Sequence, residues 1–217
     1  MNIDAVDDYG WQDEGGLQSS GYIAPAVVAT VTGLGAHRVC DIGAGNGHLC
    51  SLLAQAGLTV AGVEYDPHGV DIARQAHPSI PFFCMGVQDD PSPVLEACGA
   101  FDVVVSTEVI EHLYSPHHLP IFASKLLKPG GHLVVTTPYH GYAKNLLLSV
   151  FNKWDHHHTA LWHGGHIKFW SRATLTKLLA RVGFVDLRFR GVGRAPLLWK
   201  SMIVTGRVAA GPNSRAA

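Results

Sequence analysis

The sequence predicts an α/β fold around a mostly parallel sheet, and three stretches carry that prediction. In the first, the apolar run Val39-Cys40-Asp41-Ile42 leads into Gly43-Ala44-Gly45-Asn46-Gly47, with a glycine at every second position. In the second, Leu58-Thr59-Val60-Ala61-Gly62-Val63-Glu64 ends in an acid and is followed by Tyr65-Asp66-Pro67. The third joins two apolar runs. Phe101–Leu113 turns polar at Ser106-Thr107-Glu108, and Leu126–Pro138 passes through Pro129-Gly130-Gly131 before its valines. Buried parallel strands read as short apolar runs, and helical segments between them imply right-handed crossovers. In such sheets the ligand crevice opens at the carboxyl ends of the strands.

Taken in order, Ser20–Thr32 is expected as a helix before the first strand, with Pro25 near its first turn. The glycine turn after Ile42 feeds a helix over residues 47–57, where leucines and alanines recur at helical spacing. Pro67 opens the next helix at its first position. Phe83-Cys84-Met85-Gly86 marks a third strand, Phe101–Leu113 a fourth that runs into a polar turn, and the stretch after Pro129-Gly130-Gly131, ending at Thr137, a fifth. Ser171–Arg181 reads as a helix capped by Ser171 and closed by Gly183. Phe184–Val192 and Trp199–Val208 read as strands joined by Gly193–Leu198. The stretch Tyr139–Lys168 fits no strand–helix unit and is too long for an ordinary connection.

A chain of 217 residues suffices for one well-buried core. The expected organisation is a single domain over residues 1–208, with a helical cap at 1–36, an insertion at 138–168 and a disordered tail at 209–217. Cys40, Cys50, Cys84 and Cys98 show no C-x-x-C spacing, which favours reduced thiols over a disulfide framework. Without a basic-then-apolar leader or a membrane-length apolar run, a cytoplasmic location is expected.

The net charge of −1 is unevenly spread. Residues 1–37 hold five acids and no Lys or Arg, whereas the segment from Lys168 onward holds ten bases and one acid, Asp186. The expected reading is a solvated helix and edge hairpin. An alternative is a lipid-facing patch of Arg188, Arg190, Arg194 and Lys200 around Leu197-Leu198-Trp199. Nucleic acid is the weakest option and is not expected as a partner, given the scattered bases, the near-neutral pI and the lack of a recognition module.

The glycine turn separates two cofactor classes. A dinucleotide site wants G-x-G-x-x-G, but His48 stands where the third glycine belongs, and Asp41 would repel a phosphate. A carboxylate there suits a cofactor bearing an ammonium group, as S-adenosylmethionine does. Glu64 lies 23 residues after Asp41, close to the separation at which an acid takes ribose hydroxyls.

These motifs in this order resemble the class I S-adenosylmethionine-dependent methyltransferases over roughly residues 9–208. Val109-Ile110-Glu111-His112-Leu113, Leu126–Gly131, Thr136–Gly141 and Gly165–Ser171 are similar to the small-molecule branch that includes the ubiquinone-biosynthesis O-methyltransferases. The resemblance implies a doubly wound, Rossmann-like sheet of seven strands, mostly parallel with an antiparallel C-terminal edge hairpin. It implies that Asp41, Gly43, Gly45, Asn46 and Gly47 surround the methionine moiety, with Glu64 on the ribose and Tyr65 beside the adenine. Tyr22 and Glu108 complete the expected cofactor set. Many relatives carry an acid directly after the third-strand glycine. Val87 occupies that place here, which leaves the adenine amine to Gln88, Asp89 or the Val87 backbone.

The insertion gathers His140, His156, His157, His158, His163 and His166. Leaving the strand nearest the reactive methyl, it is expected to act as a lid over the crevice. Its histidines have three readings: lid packing, general-base chemistry from an imidazole near pKa 6.5, or a metal site formed by the His156–His158 run with His163 and His166. The metal reading is set aside because Asp155 is its only clear carboxylate partner. Candidate bases are His166, His140 and His112, with Tyr139 as a positioning hydroxyl and Glu108 or Glu111 orienting His112. Trp11, Tyr22, Trp154, Trp162 and Phe169 are candidates for an aromatic wall, with core packing as the alternative for Phe169 and Trp170. The expected enzyme moves a methyl group to oxygen, ahead of nitrogen, of a small aromatic or heterocyclic acceptor, as a monomer or homodimer. A non-catalytic cofactor sensor and an NAD-linked oxidoreductase are the rivals.

Overall fold

The computed structural model describes residues 13, 15, 16, 20–155 and 165–209. Seven strands form one sheet: β1 (Arg38–Ile42), β2 (Thr59–Glu64), β3 (Phe82–Cys84), β4 (Phe101–Thr107), β5 (Leu127–Pro138), β6 (Phe184–Val192) and β7 (Ser201–Val208). The helices are α1 (Ser20–Gly33), α2 (His48–Gln55), α3 (Pro67–Ala76), α4 (Ser92–Cys98), α5 (His118–Leu126), α6 (Tyr142–Val150) and α7 (Arg172–Arg181). Strand order is β3-β2-β1-β4-β5-β7-β6. The pairings from β3 through β5 are parallel, and β7 runs antiparallel to both β5 and β6. The chain thus winds outward from β1 to β3, then crosses back to lay β4 on the other side of β1. The crevice of such a sheet opens where the winding reverses, beyond the carboxyl ends of β1 and β4.

Side-chain alternation on these strands builds two cores. Val39, Val103, Val105 and Val134 face Val27 and Val31 of α1 and Leu53 of α2. Cys40, Ile42, Val104 and Val135 face Phe122 and Leu126 of α5 and Leu175 and Leu179 of α7. Burial of both faces explains why the strands read as nearly continuous apolar runs. The helix ends follow the expected chemistry. The Asp66 side chain accepts the N–H groups of His68 and Gly69 ahead of Pro67, and Ser171 forms a capping box with Thr174.

Three boundaries differ from expectation. β5 starts at Leu127, ahead of the Pro-Gly-Gly turn, because Phe101 pairs with Leu127 before the register jumps to Val103 opposite His132. Residues 128–131 bulge out, held by the Lys128 Nζ–Asp102 Oδ1 bridge at 2.6 Å. β7 starts at Ser201 and not at Trp199, whose ring packs against Tyr139 and Phe189. The insertion contains a helix, α6, none of whose residues is buried. No described helix is long and apolar enough to cross a membrane. The expected histidine run at 156–158, His163, Trp11, Trp162 and the tail beyond residue 209 lie outside the described residues.

Candidate active site

The turn after β1 works as its glycines require. Gly43, Gly45 and Gly47 have φ of 79°, 53° and 83°, a region that side chains with a Cβ disfavour. The backbone N–H groups of Gly43 and Ala44 both donate to the Val63 carbonyl, at 2.8 and 3.0 Å, which ties the turn to β2. Asp41 is 1% exposed, and its Oδ2 accepts from the Cys50 thiol at 3.6 Å. Its Oδ1 has no hydrogen-bond partner among the described residues. Burial pushes the Asp41 carboxyl up to about 7. A buried carboxylate oxygen without a donor asks for one from a ligand.

Glu64 ends β2 beside the same turn. Its Oε2 accepts the Gly45 N–H at 2.7 Å and its Oε1 the Asp66 N–H at 2.8 Å, while burial raises its pKa. Each oxygen keeps a second lone pair for a ligand hydroxyl. Asn46 faces two ways. Its Nδ2 donates to the Asp13 and Gly15 carbonyls at 2.7 and 2.8 Å, drawing the N-terminal segment over the turn.

These groups line one cleft of about 1530 Å³, larger than the 300–1,000 Å³ of an ordinary ligand pocket and roomy enough for two molecules. Asp41, Gly43, Asn46 and Glu64 line its floor. At the β2 and β3 ends, Tyr65, Val87, Gln88 and Asp89 line a further wall. Tyr65 is 73% exposed, and Asp89 Oδ2 accepts the Gly86 N–H at 2.7 Å. Gly45 and Gly47 shape the turn without lining the cleft.

Tyr22, Glu108, His112 and His166 also line the cleft. Glu108 is a non-glycine residue at φ 55°, held there by its own contacts. Its Oε1 accepts from the Thr136 hydroxyl at 2.9 Å and its Oε2 from the Ser201 hydroxyl at 3.4 Å, and the Tyr22 hydroxyl lies 3.2 Å from Ser201 Oγ. Burial pushes the Glu108 carboxyl up to about 7.

Four basic residues of the cleft wall were absent from the sequence-derived site: Lys144, Lys153, Arg194 and Lys200. Burial, then the Arg194 charge, lowers Lys144 to about 8. Lys200 Nζ sits 5.0 Å from the Tyr22 ring centroid. Arg194 and Lys200 belong to the basic C-terminal third, so its charge is partly turned into the cleft. The signal was present in that charge asymmetry, but its direction depends on how residues 193–200 fold.

The histidines separate. His112 and His166 line the cleft with ring centroids 4.9 Å apart at 72°. His140 is 6% exposed, does not line the cleft, and stacks edgewise on Phe169 at 5.0 Å. Tyr139 does not line it either, its ring packing against Phe189 and Trp199.

Comparison with known proteins agrees with this geometry. The model of a family described as "Methyltransferase domain" matches residues 12–188. A ubiquinone biosynthesis O-methyltransferase of Ralstonia nicotianae is 30% identical over 168 residues, covering 76% of this chain and 69% of that protein. One of Vibrio parahaemolyticus is 25% identical over 203 residues, covering 86% and 82%. Among solved structures, magnesium protoporphyrin IX methyltransferase from Synechocystis, with bound S-adenosylhomocysteine, aligns with a TM-score of 0.61 at 22% identity, covering 86% of this chain and 82% of that one. Human N-acetylserotonin methyltransferase in complex with S-adenosylmethionine aligns at 0.66 and 17% identity, covering 88% of this chain but 53% of the human one. The chain belongs to the methyltransferase-domain family and has the architecture of its S-adenosylmethionine-dependent class I enzymes.

Proposed function

We propose that this methyltransferase methylates an oxygen of a small aromatic acceptor that carries an acidic group. The supporting observation is one cleft lined together by a glycine turn with a donorless Asp41 oxygen, by His112 and His166, and by the bases Lys144, Arg194 and Lys200. The glycine turn and its neighbours fit S-adenosylmethionine, with Asp41 taking the ammonium group, Glu64 the ribose hydroxyls, and Tyr65 with Val87, Gln88 and Asp89 the adenine. Bound there, the cofactor supplies an electrophilic sulfonium methyl group.

The chain's own residues do the rest. Tyr22, Ser201, Thr136 and Glu108 form a fixed polar wall that holds the acceptor site in shape. Lys144, Arg194 and Lys200 supply cations for an acceptor carboxylate, a pairing worth most where water is excluded. His112 and His166 meet the acceptor hydroxyl, whose proton must leave as the oxygen becomes a nucleophile. Positioning carries most of the rate. The free thiols Cys40, Cys50, Cys84 and Cys98 suit a cytoplasmic, reducing setting.

A labelled-methyl transfer screen of phenolic carboxylates against their neutral amides tests this. Label should enter an oxygen of the carboxylates, and Arg194→Ala should raise the acceptor KM about tenfold, the loss of one charge-assisted contact. Transfer to the neutral amides alone would contradict the acidic-acceptor reading.

A further inference from the structure

We propose that Cys50 is a positioning residue for the cofactor: its thiol fixes the Asp41 carboxylate with one oxygen left over for the ammonium group of S-adenosylmethionine, and so sets how readily that carboxylate takes up its charge. The inference rests on the proposed reading of Asp41 and deepens it, since it names the group that prepares Asp41 for its ligand.

Asp41 lies in a strand flanked on both sides, where donors are scarce. Its register partners are Gly62 on β2, which has no side chain, and Val105 on β4, which is apolar. The side chain that reaches it comes from α2, the helix that follows the glycine turn. Cys50 is the third residue of that helix and wholly buried, and its thiol donates to Asp41 Oδ2 at 3.6 Å. The other oxygen, Oδ1, is buried and has no donor among the described residues, and Asp41 lines the cleft. That oxygen is an independent sign of a ligand, because buried polar groups are nearly always hydrogen-bonded.

The kind of donor matters. A thiol donates weakly, so it can orient the carboxylate while stabilising its charge only slightly. A cation or a stronger donor on Oδ2 would hold Asp41 ionised before any ligand arrived and would compete with the ammonium group for its charge. Here burial outweighs the thiol bond and pushes the Asp41 carboxyl up to about 7, with the charge of Glu64 at the end of β2 acting in the same direction. Burial, and then the charge of Asp41, raises the Cys50 thiol well above its usual range, so it keeps its proton and remains a donor. Cys40, the neighbour of Asp41 on β1, is also raised well above the usual thiol range by burial and stays neutral. Tyr22 of α1, His48 of α2 and Glu108 beyond β4 line the same cleft and are kept in every variant compared. Near neutral pH the empty site is thus only partly charged, and an arriving ammonium group draws the Asp41 proton off to water.

The test is calorimetric titration of the full chain with S-adenosylhomocysteine, which carries the same ammonium group, from about pH 5.5 to about pH 8.5. Wild-type affinity should rise with pH and level off above about 7. Cys50→Ala and Cys50→Val, the second of which keeps the site filled, both lose the bond that favours ionised Asp41. Their profiles should move to higher pH, with binding about three- to tenfold weaker near about pH 6 and within about twofold of wild type by about pH 8.5. Carbon-13 NMR titration of the Asp41 carboxyl in the apo chain should show the same upward shift without a ligand. In Asp41→Asn the profile should flatten, and adding Cys50→Val to it should change little more. A packing defect would instead weaken binding by one factor at every pH. That result, wild-type profiles in both Cys50 variants, or an unmoved carboxyl midpoint would each overturn the proposal, and a flattened Asp41→Asn profile would leave the cofactor reading intact. Wild-type affinity and profile in Asp41→Asn would overturn that reading, and the proposal with it.

Discussion

Glu64 reaches across 19 residues to accept the Gly45 N–H at 2.7 Å, so the acid at the end of β2 also fixes the turn after β1. The two features that the sequence presents as separate motifs are one structural unit. Glu64→Ala should therefore do two things at once. Loss of a charge-assisted hydrogen bond destabilises by about 1.5–3 kcal/mol, and the same lost acceptor should weaken S-adenosylhomocysteine binding at least about tenfold. Thermal melts and calorimetry on one preparation report both. Weakened binding with an unchanged melting temperature would show that the bond to Gly45 adds nothing to the fold.

Asp41 makes the pH dependence specific. Its folded carboxyl holds a proton up to about 7, whereas the unfolded chain releases it near about 3.9. Between these values the unfolded state binds fewer protons, so stability falls as pH rises and levels off above about 7. Glu108, also raised to about 7, acts in the same direction. The apo protein should thus melt lower at about pH 8 than at about pH 5, with a shallower slope in Asp41→Asn. Affinity for an ammonium-bearing ligand should run the opposite way, strengthening as Asp41 ionises. A melting temperature that climbs steadily over this range would contradict the assignment.

The placement of the histidines separates chemistry from packing. His140→Ala should lower stability by about 1–3 kcal/mol, since its buried ring stacks on Phe169, while leaving cofactor affinity intact. His112→Ala or His166→Ala should instead cut turnover by about 10²–10⁴-fold, with little change in melting temperature. Denaturant melts beside a transfer assay make the comparison. Equal turnover losses in all three variants would place His140 in the chemistry as well.

Most of the fold was legible because the strand ends carry strong local punctuation. Gly43, Gly45 and Gly47 mark the first turn, Asp66-Pro67 opens α3, and Ser171 caps α7. Boundaries slipped where tertiary contacts override such signals, as at the bulge before His132 and the start of β7. Tyr139 and His140 were singled out because they follow the strand nearest the reaction. The Tyr139 N–H, however, donates to the Lys200 carbonyl, which extends the pairing with β7 and sends its ring to Phe189 and Trp199. Arg194 and Lys200 could not be assigned to the cleft from sequence, since the fold of residues 193–200 decides whether they face solvent or Tyr22. Glu111 was legible only as a neighbour of His112. Its isolation from donors is a property of packing, and spacing does not reveal it.

The central claim is that the glycine turn with Asp41 and Glu64 binds an ammonium-bearing nucleoside and not a dinucleotide. Calorimetric titration of the wild-type chain with S-adenosylhomocysteine and, separately, with NAD tests it most directly, with Asp41→Asn measured beside it. The account predicts saturable binding of S-adenosylhomocysteine, no detectable heat from NAD, and at least about tenfold weaker binding in Asp41→Asn. Binding of NAD, or S-adenosylhomocysteine affinity unchanged in both Asp41→Asn and Glu64→Ala, would contradict it.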